Sequence, residues 1–130
     1  MGKSITVLII DDEQDILDLI SADLKEIDSD IQVITTNSGY TALQLISERE
    51  IDLVLTDIAM PDMDGLELYK RLKELRPELQ FIMMTGFGYD PNHVIINSKQ
   101  IGLKHVIYKP FDVHKLHKMI YNVLCLKESR

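Results

Sequence analysis

The stretch Leu55-Thr56-Asp57-Ile58-Ala59-Met60-Pro61-Asp62-Met63-Asp64-Gly65 decides how the rest of the chain is read. An apolar run from Ile51 to Leu55 leads into Thr56 and Asp57. Met60-Pro61 then stops any regular element, because proline lacks a backbone donor and has a fixed φ. Met63-Asp64-Gly65 opens a helix, with Asp64 placed to cap it, Glu67 completing a D-x-x-E box and Met63 and Leu68 able to staple it. A carboxylate that ends a buried strand and precedes a rigid loop projects over the edge of a sheet. In open parallel sheets that edge is where ligands bind.

Outward from this stretch the pattern repeats. Ile5–Ile10 is nearly all apolar, as expected of a strand covered on both faces, and it runs into Asp11-Asp12-Glu13. A first helix is predicted over Gln14–Ile27, with Ile16, Ile20, Leu24 and Ile27 as its inner stripe. Ile31–Thr35 is shorter and mixed, so an edge strand. Asn37-Ser38-Gly39 starts a second helix, Ile51–Thr56 is a central strand, and the third helix ends at Pro77. Gln80–Met84 is a fourth strand, followed by the loop Thr85-Gly86-Phe87-Gly88-Tyr89. Asp90-Pro91 opens a fourth helix to about Gln100, His105–Tyr108 is a short fifth strand, and Asp112 caps a fifth helix. Strict alternation of strand and helix, right-handed crossovers and two weak edges predict an α/β, flavodoxin-like, doubly wound, five-stranded parallel sheet with five helices. The expected strand order is 2-1-3-4-5.

A chain of 130 residues suits one domain spanning 1–130, and no output domain is visible in it. The net charge of -7, with lysines and arginines scattered, argues against nucleic acid or an anionic membrane as a partner. The N-terminal residues lack the long apolar segment of a signal peptide, and no stretch is long enough to span a membrane. The single cysteine, Cys125, is expected to be packed, and cytoplasmic location is the expectation. Met60, Met63, Met83 and Met84 read as core filler. His114 and His117 read as solvated helix positions rather than as a metal pair.

The chemistry gathers at the strand ends. Asp11 and Asp12 follow the first strand, Asp57 the third, Thr85 the fourth and Lys109 the fifth. Three carboxylates converging in a crevice repel one another and call for a cation. An all-oxygen set suits Mg²⁺, or Mn²⁺ in its place. A carboxylate can act as a nucleophile and form an acyl phosphate. Asp57 is then the candidate phosphoryl acceptor, Lys109 a point charge and Thr85 a hydroxyl donor to a phosphoryl oxygen. Rival classes fit less well. A phosphatase forming an aspartyl phosphate would carry D-x-D after the first strand, and a nucleotide or flavin site would need a glycine- or Ser/Thr-rich loop there.

Taken together, Asp11-Asp12, the Asp57 motif, Thr85 and Lys109-Pro110-Phe111 resemble the receiver domain of two-component response regulators, end to end. The resemblance implies that Asp57 accepts a phosphoryl group from a histidine kinase or phosphotransfer protein. It implies that Asp12, Asp57 and the backbone carbonyl of Ala59 ligate Mg²⁺, that Asp11 helps through water, and that Thr85 and Lys109 bind the phosphoryl group. A cis Lys109–Pro110 bond is implied as well. So is a signalling face made of the fourth helix, fifth strand and fifth helix, which meets an output protein or domain or a second copy. The receiver could stand alone or belong to a hybrid kinase or longer regulator; a pseudo-receiver, acting only as a binding module, is the remaining alternative. Two features depart from the family. The usual aromatic three positions before the lysine is Val106 here, with Tyr108 beside Lys109, and the loop and helix from Phe87 to Ile101 are unusual for the family; Phe87, like Ala59, sits where the family tunes dephosphorylation, and it is bulky. Phe87 is expected to restrict attacking water.

Overall fold

The structure, a computed structural model, describes residues 4–57, 60, 62–86 and 105–125. Its order is β1 (Ile5–Ile10), α1 (Gln14–Ile27), β2 (Ile31–Thr36), α2 (Gly39–Glu48), β3 (Leu53–Asp57), α3 (Gly65–Leu75), β4 (Gln80–Thr85), β5 (Val106–Tyr108) and α4 (Val113–Val123). All pairings are parallel, and the sheet runs β2-β1-β3-β4-β5 as the sequence predicts. Four helices stand among the described residues. The helix expected over Pro91–Gln100 falls outside them, and α4 is the fifth helix of the sequence reading.

The continuous apolar runs are explained by two cores. Successive strand residues point to opposite faces. Leu8, Ile10, Val54, Phe81 and Met83 pack under α2 and α3. Val7, Ile9, Leu53, Leu55, Ile82 and Met84 pack under α1 and α4. Burying each such side chain contributes about 1.5–3 kcal/mol. Met60, Met63, Met83 and Met84 are all buried in these cores. β2 and β5, the weakly apolar strands, lie at the two edges.

Several local details differ from the sequence reading. β3 starts at Leu53 rather than Ile51, because the Asp52 carboxylate accepts a hydrogen bond from Thr6 N (2.8 Å) while Asp52 N donates to Thr6 O (2.9 Å). That side-chain clasp replaces the first rung of the ladder. Asp64 caps α3 by accepting from Leu66 N at 2.7 Å, whereas Glu67 pairs with Arg71 one turn on. His117 is not solvated. Its Nε2 lies 3.0 Å from Asp28 Oδ2, which also accepts from the Tyr121 hydroxyl, so the end of α1 is bonded to α4. Burial would raise the Asp28 pKa, but the bonds from Tyr121, His117 and the Asp30 backbone, with the His117 charge, outweigh it and lower it. Cys125 is exposed rather than packed, just past α4 at φ 56°. Among the described residues no helix is long and apolar enough to cross a membrane.

Candidate functional site

Parallel strands deliver their C-terminal ends to one edge, and here each delivers a polar residue. Asp57 and Thr85 are the last residues of β3 and β4, and Asp11 immediately follows β1. Asp11 and Thr85 are buried, at 0% and 2% exposure, in a position where such groups need partners. Asp11 Oδ1 accepts from Glu13 N at 2.9 Å, and Oδ2 accepts from Lys109 Nζ at 2.6 Å. Lys109 Nζ also donates to Asp57 Oδ2 at 3.1 Å. Lys109 is held in reach by its own backbone, whose N–H donates to Thr85 O at 2.7 Å. Asp12 stays exposed at the mouth. The α1 N-cap is Glu13, with no side-chain cap bond, so neither Asp11 nor Asp12 fills that position.

One carboxylate oxygen from each of Asp11, Asp12 and Asp57 lies within 4.8 Å of the others. At an effective dielectric of roughly 20, like charges 4.8 Å apart repel by about 3.5 kcal/mol. The Lys109 ammonium offsets one of the three charges and leaves the cluster anionic. Burial would lower the Lys109 pKa, but the Asp11 hydrogen bond and the charges of Asp57 and Asp11 outweigh it and raise it, so the ammonium persists at neutral pH. The donor set contains only carboxylate oxygens, half enclosed and short of positive charge. That is the chemistry of a hard divalent cation, and these residues fit one.

The structure therefore gathers Asp11, Asp12, Asp57 and Lys109 in one hollow, with Thr85 joined to Lys109 through the backbone. The Lys109–Pro110 bond is cis. Ala59 and Phe87 lie outside the described residues. Val106 is half-buried against the core under α2 and α3. Tyr108, two residues on and so on the same face of β5, is 43% exposed and pairs in register with Thr85. One contact near the site was not foreseen. Asp62, within the motif that opens the sequence reading, accepts hydrogen bonds from Ser38 Oγ (2.9 Å) and Gly39 N (3.0 Å) at the start of α2. The sequence marks Asn37-Ser38-Gly39 as a helix start but carries no signal of which distant carboxylate meets it.

Comparison with known proteins agrees with this architecture. A family model described as "Response regulator receiver domain" matches residues 7–121. The sporulation initiation phosphotransferase F of Bacillus subtilis is 31% identical over 123 residues, covering 95% of this chain and 96% of that protein. The response regulator SaeR of Staphylococcus epidermidis is 33% identical over 118 residues, but the chain spans only 49% of its length. It spans 27% of the transcriptional regulatory protein GlrR of Escherichia coli, at 29% identity. Among solved structures, a CheY-like receiver domain protein from Methanospirillum hungatei superposes with a TM-score of 0.84 at 30% identity, with 95% of each chain covered. The chain thus belongs to the receiver domain family of response regulators, the proteins of two-component signalling.

Proposed function

We propose that this receiver takes a phosphoryl group onto Asp57 from the phosphohistidine of a histidine kinase or phosphotransfer protein, in a reaction that depends on Mg²⁺. The observation that carries the reading is the Lys109 ammonium bridging Asp11 and Asp57 beside three converged carboxylates. In the transfer, a carboxylate oxygen of Asp57 forms the new P–O bond as the P–N bond to the donor imidazole breaks, and the electron pair of that bond returns to the ring. Lys109 faces the equatorial oxygens with its charge, and Thr85 offers a hydroxyl donor. Asp12, Asp57 and the Ala59 carbonyl would hold Mg²⁺, with Asp11 acting through water; the ion supplies positive charge that offsets the carboxylates and the phosphoryl oxygens. Mn²⁺ should substitute. That a relative matched along nearly its whole length is named a phosphotransferase supports the reading.

The output face is assigned to β5, α4 and the segment before β5, where a partner protein, an attached domain or a second copy would dock. A cytoplasmic location goes with a kinase donor. The receiver is not assigned turnover of a separate substrate. The test is acetyl phosphate with and without Mg²⁺, read by intact mass beside Asp57→Asn. A Mg²⁺-dependent gain of one phosphoryl group, lost in the variant, is expected. No gain in the wild type with any donor would overturn the proposal and leave a binding module.

A further inference from the structure

The outer faces of α1 and α4 sort their charges by sign. Both helices pack on the same side of the sheet, through Leu17, Ile20 and Leu24 of α1 and Leu116 and Ile120 of α4. Their seam is pinned by Asp28, which bonds His117 and Tyr121. The first two turns of α1 expose Asp15 and Asp18 beside Leu19, which is 59% exposed. The first two turns of α4 expose His114, Lys115 and Lys118. Among the described residues none of Asp15, Asp18, Lys115 and Lys118 stands in an ion pair. Asp18 takes one hydrogen bond, from the neutral amide of Gln14 at 2.9 Å, which leaves its charge in place. The solvated face of α3 is built otherwise. There Glu67, Lys70, Arg71 and Glu74 mix both signs, and Glu67 pairs with Arg71 at 2.9 Å.

An acidic patch and a basic patch on one face are complementary to a second copy of that face. A two-fold axis lying in the face, midway between the patches, sets each patch on its partner's opposite one, and both contacts form together. The net charge of -7 opposes random association of copies, so an arrangement that joins unlike patches is favoured over the others. We propose that the joint outer face of α1 and α4 is a self-complementary dimer surface, with Asp15 and Asp18 of one protomer against Lys115 and Lys118 of its partner. Leu19 adds apolar area to the acidic patch. The bonded seam holds the two patches at a fixed separation, so association needs little ordering. The inference names α1 as the second element of a copy-to-copy interface and does not depend on phosphoryl transfer.

Sedimentation velocity of the whole chain, unphosphorylated and in EDTA, over a concentration series tests it. The wild type should dimerise. The dimer should weaken as salt shortens the Debye length from about 10 Å at 0.1 M to about 3 Å at 1 M, a result that needs no substitution. Asp15→Lys with Asp18→Lys makes both patches basic, and Lys115→Glu with Lys118→Glu makes both acidic. Each double variant should raise the dissociation constant at least about 10-fold, because like charges then face each other across the interface. An equimolar mixture of the two variants should recover dimer, because each acidic patch again meets a basic one. All four positions are exposed, so both variants should keep the wild-type circular dichroism. A wild type that stays monomeric throughout the series overturns the proposal. So does a dimer that survives both reversals, which would use another face, or a mixture that stays monomeric.

Discussion

Replacing Lys109 by Met removes the ammonium and keeps much of the apolar stem. The wild-type side chain is 15% exposed, and its main partner Asp11 is fully enclosed. Deleting one member of a buried ion pair costs about 3–5 kcal/mol, because the other charge is left without compensation. The slight exposure of Lys109 favours the lower end, about 3 kcal/mol. With an unfolding entropy of about 2.1 cal/mol/K per residue, a loss of 3 kcal/mol over 130 residues lowers Tm by about 11 °C. The assay is urea and thermal unfolding followed by circular dichroism in EDTA, repeated with excess Mg²⁺. Asp11→Asn in the Lys109→Met background should restore part of the loss, because it removes the stranded charge. Mg²⁺ should narrow the gap by supplying positive charge to the same carboxylates. A loss under about 1 kcal/mol in EDTA, the range of exposed ion pairs, would refute the claim that Lys109 compensates a buried carboxylate. So would a double variant no more stable than the single one.

Two further outcomes follow from contacts away from the hollow. Asp28 has its pKa lowered on folding, so its stabilisation is present above the ordinary aspartate value and disappears as pH falls through the folded-state value. Tyr121→Phe should cost about 1.5 kcal/mol at pH 7, and Asp28→Asn should differ from the wild type far less at pH 3 than at pH 7, in urea titrations at each pH. Asp64→Ala should cost about 1 kcal/mol through loss of the α3 cap, read as a fall in Tm of about 4 °C.

How much the sequence discloses depends on the range of the interaction. The strands are readable because Leu8, Ile9, Val54 and Ile82 lie in a sheet covered on both faces, so hydrophobicity is continuous rather than alternating. The order of the sheet follows from which strands are least apolar. The convergence of Asp11, Asp57 and Lys109 is readable because parallel strands align their C-terminal ends. What escapes is pairing between distant side chains. Asp28 meets His117 and Tyr121 across 89 and 93 residues, and Asp62 meets Ser38 across 24. No periodicity encodes such contacts; they arise only when helices take their places on the sheet. His117 looked solvated for that reason. Cys125 was expected to pack, but α4 ends before it and leaves it exposed.

Lys109 has one more consequence, and it is mechanical. In the order β2-β1-β3-β4-β5, its side chain starts beyond β5 and reaches over β4 to Asp57 on β3 and Asp11 after β1. It acts as a tie-rod across the open rim of the sheet. Among the described residues β5 is the shortest strand, three residues long, at an edge, with three register pairs to its neighbour. Beside those pairs, the Lys109 contacts tie the end of this strand to β3 and to the residue after β1. The rod thus joins the centre of the rim to its margin, where Tyr108 stands exposed.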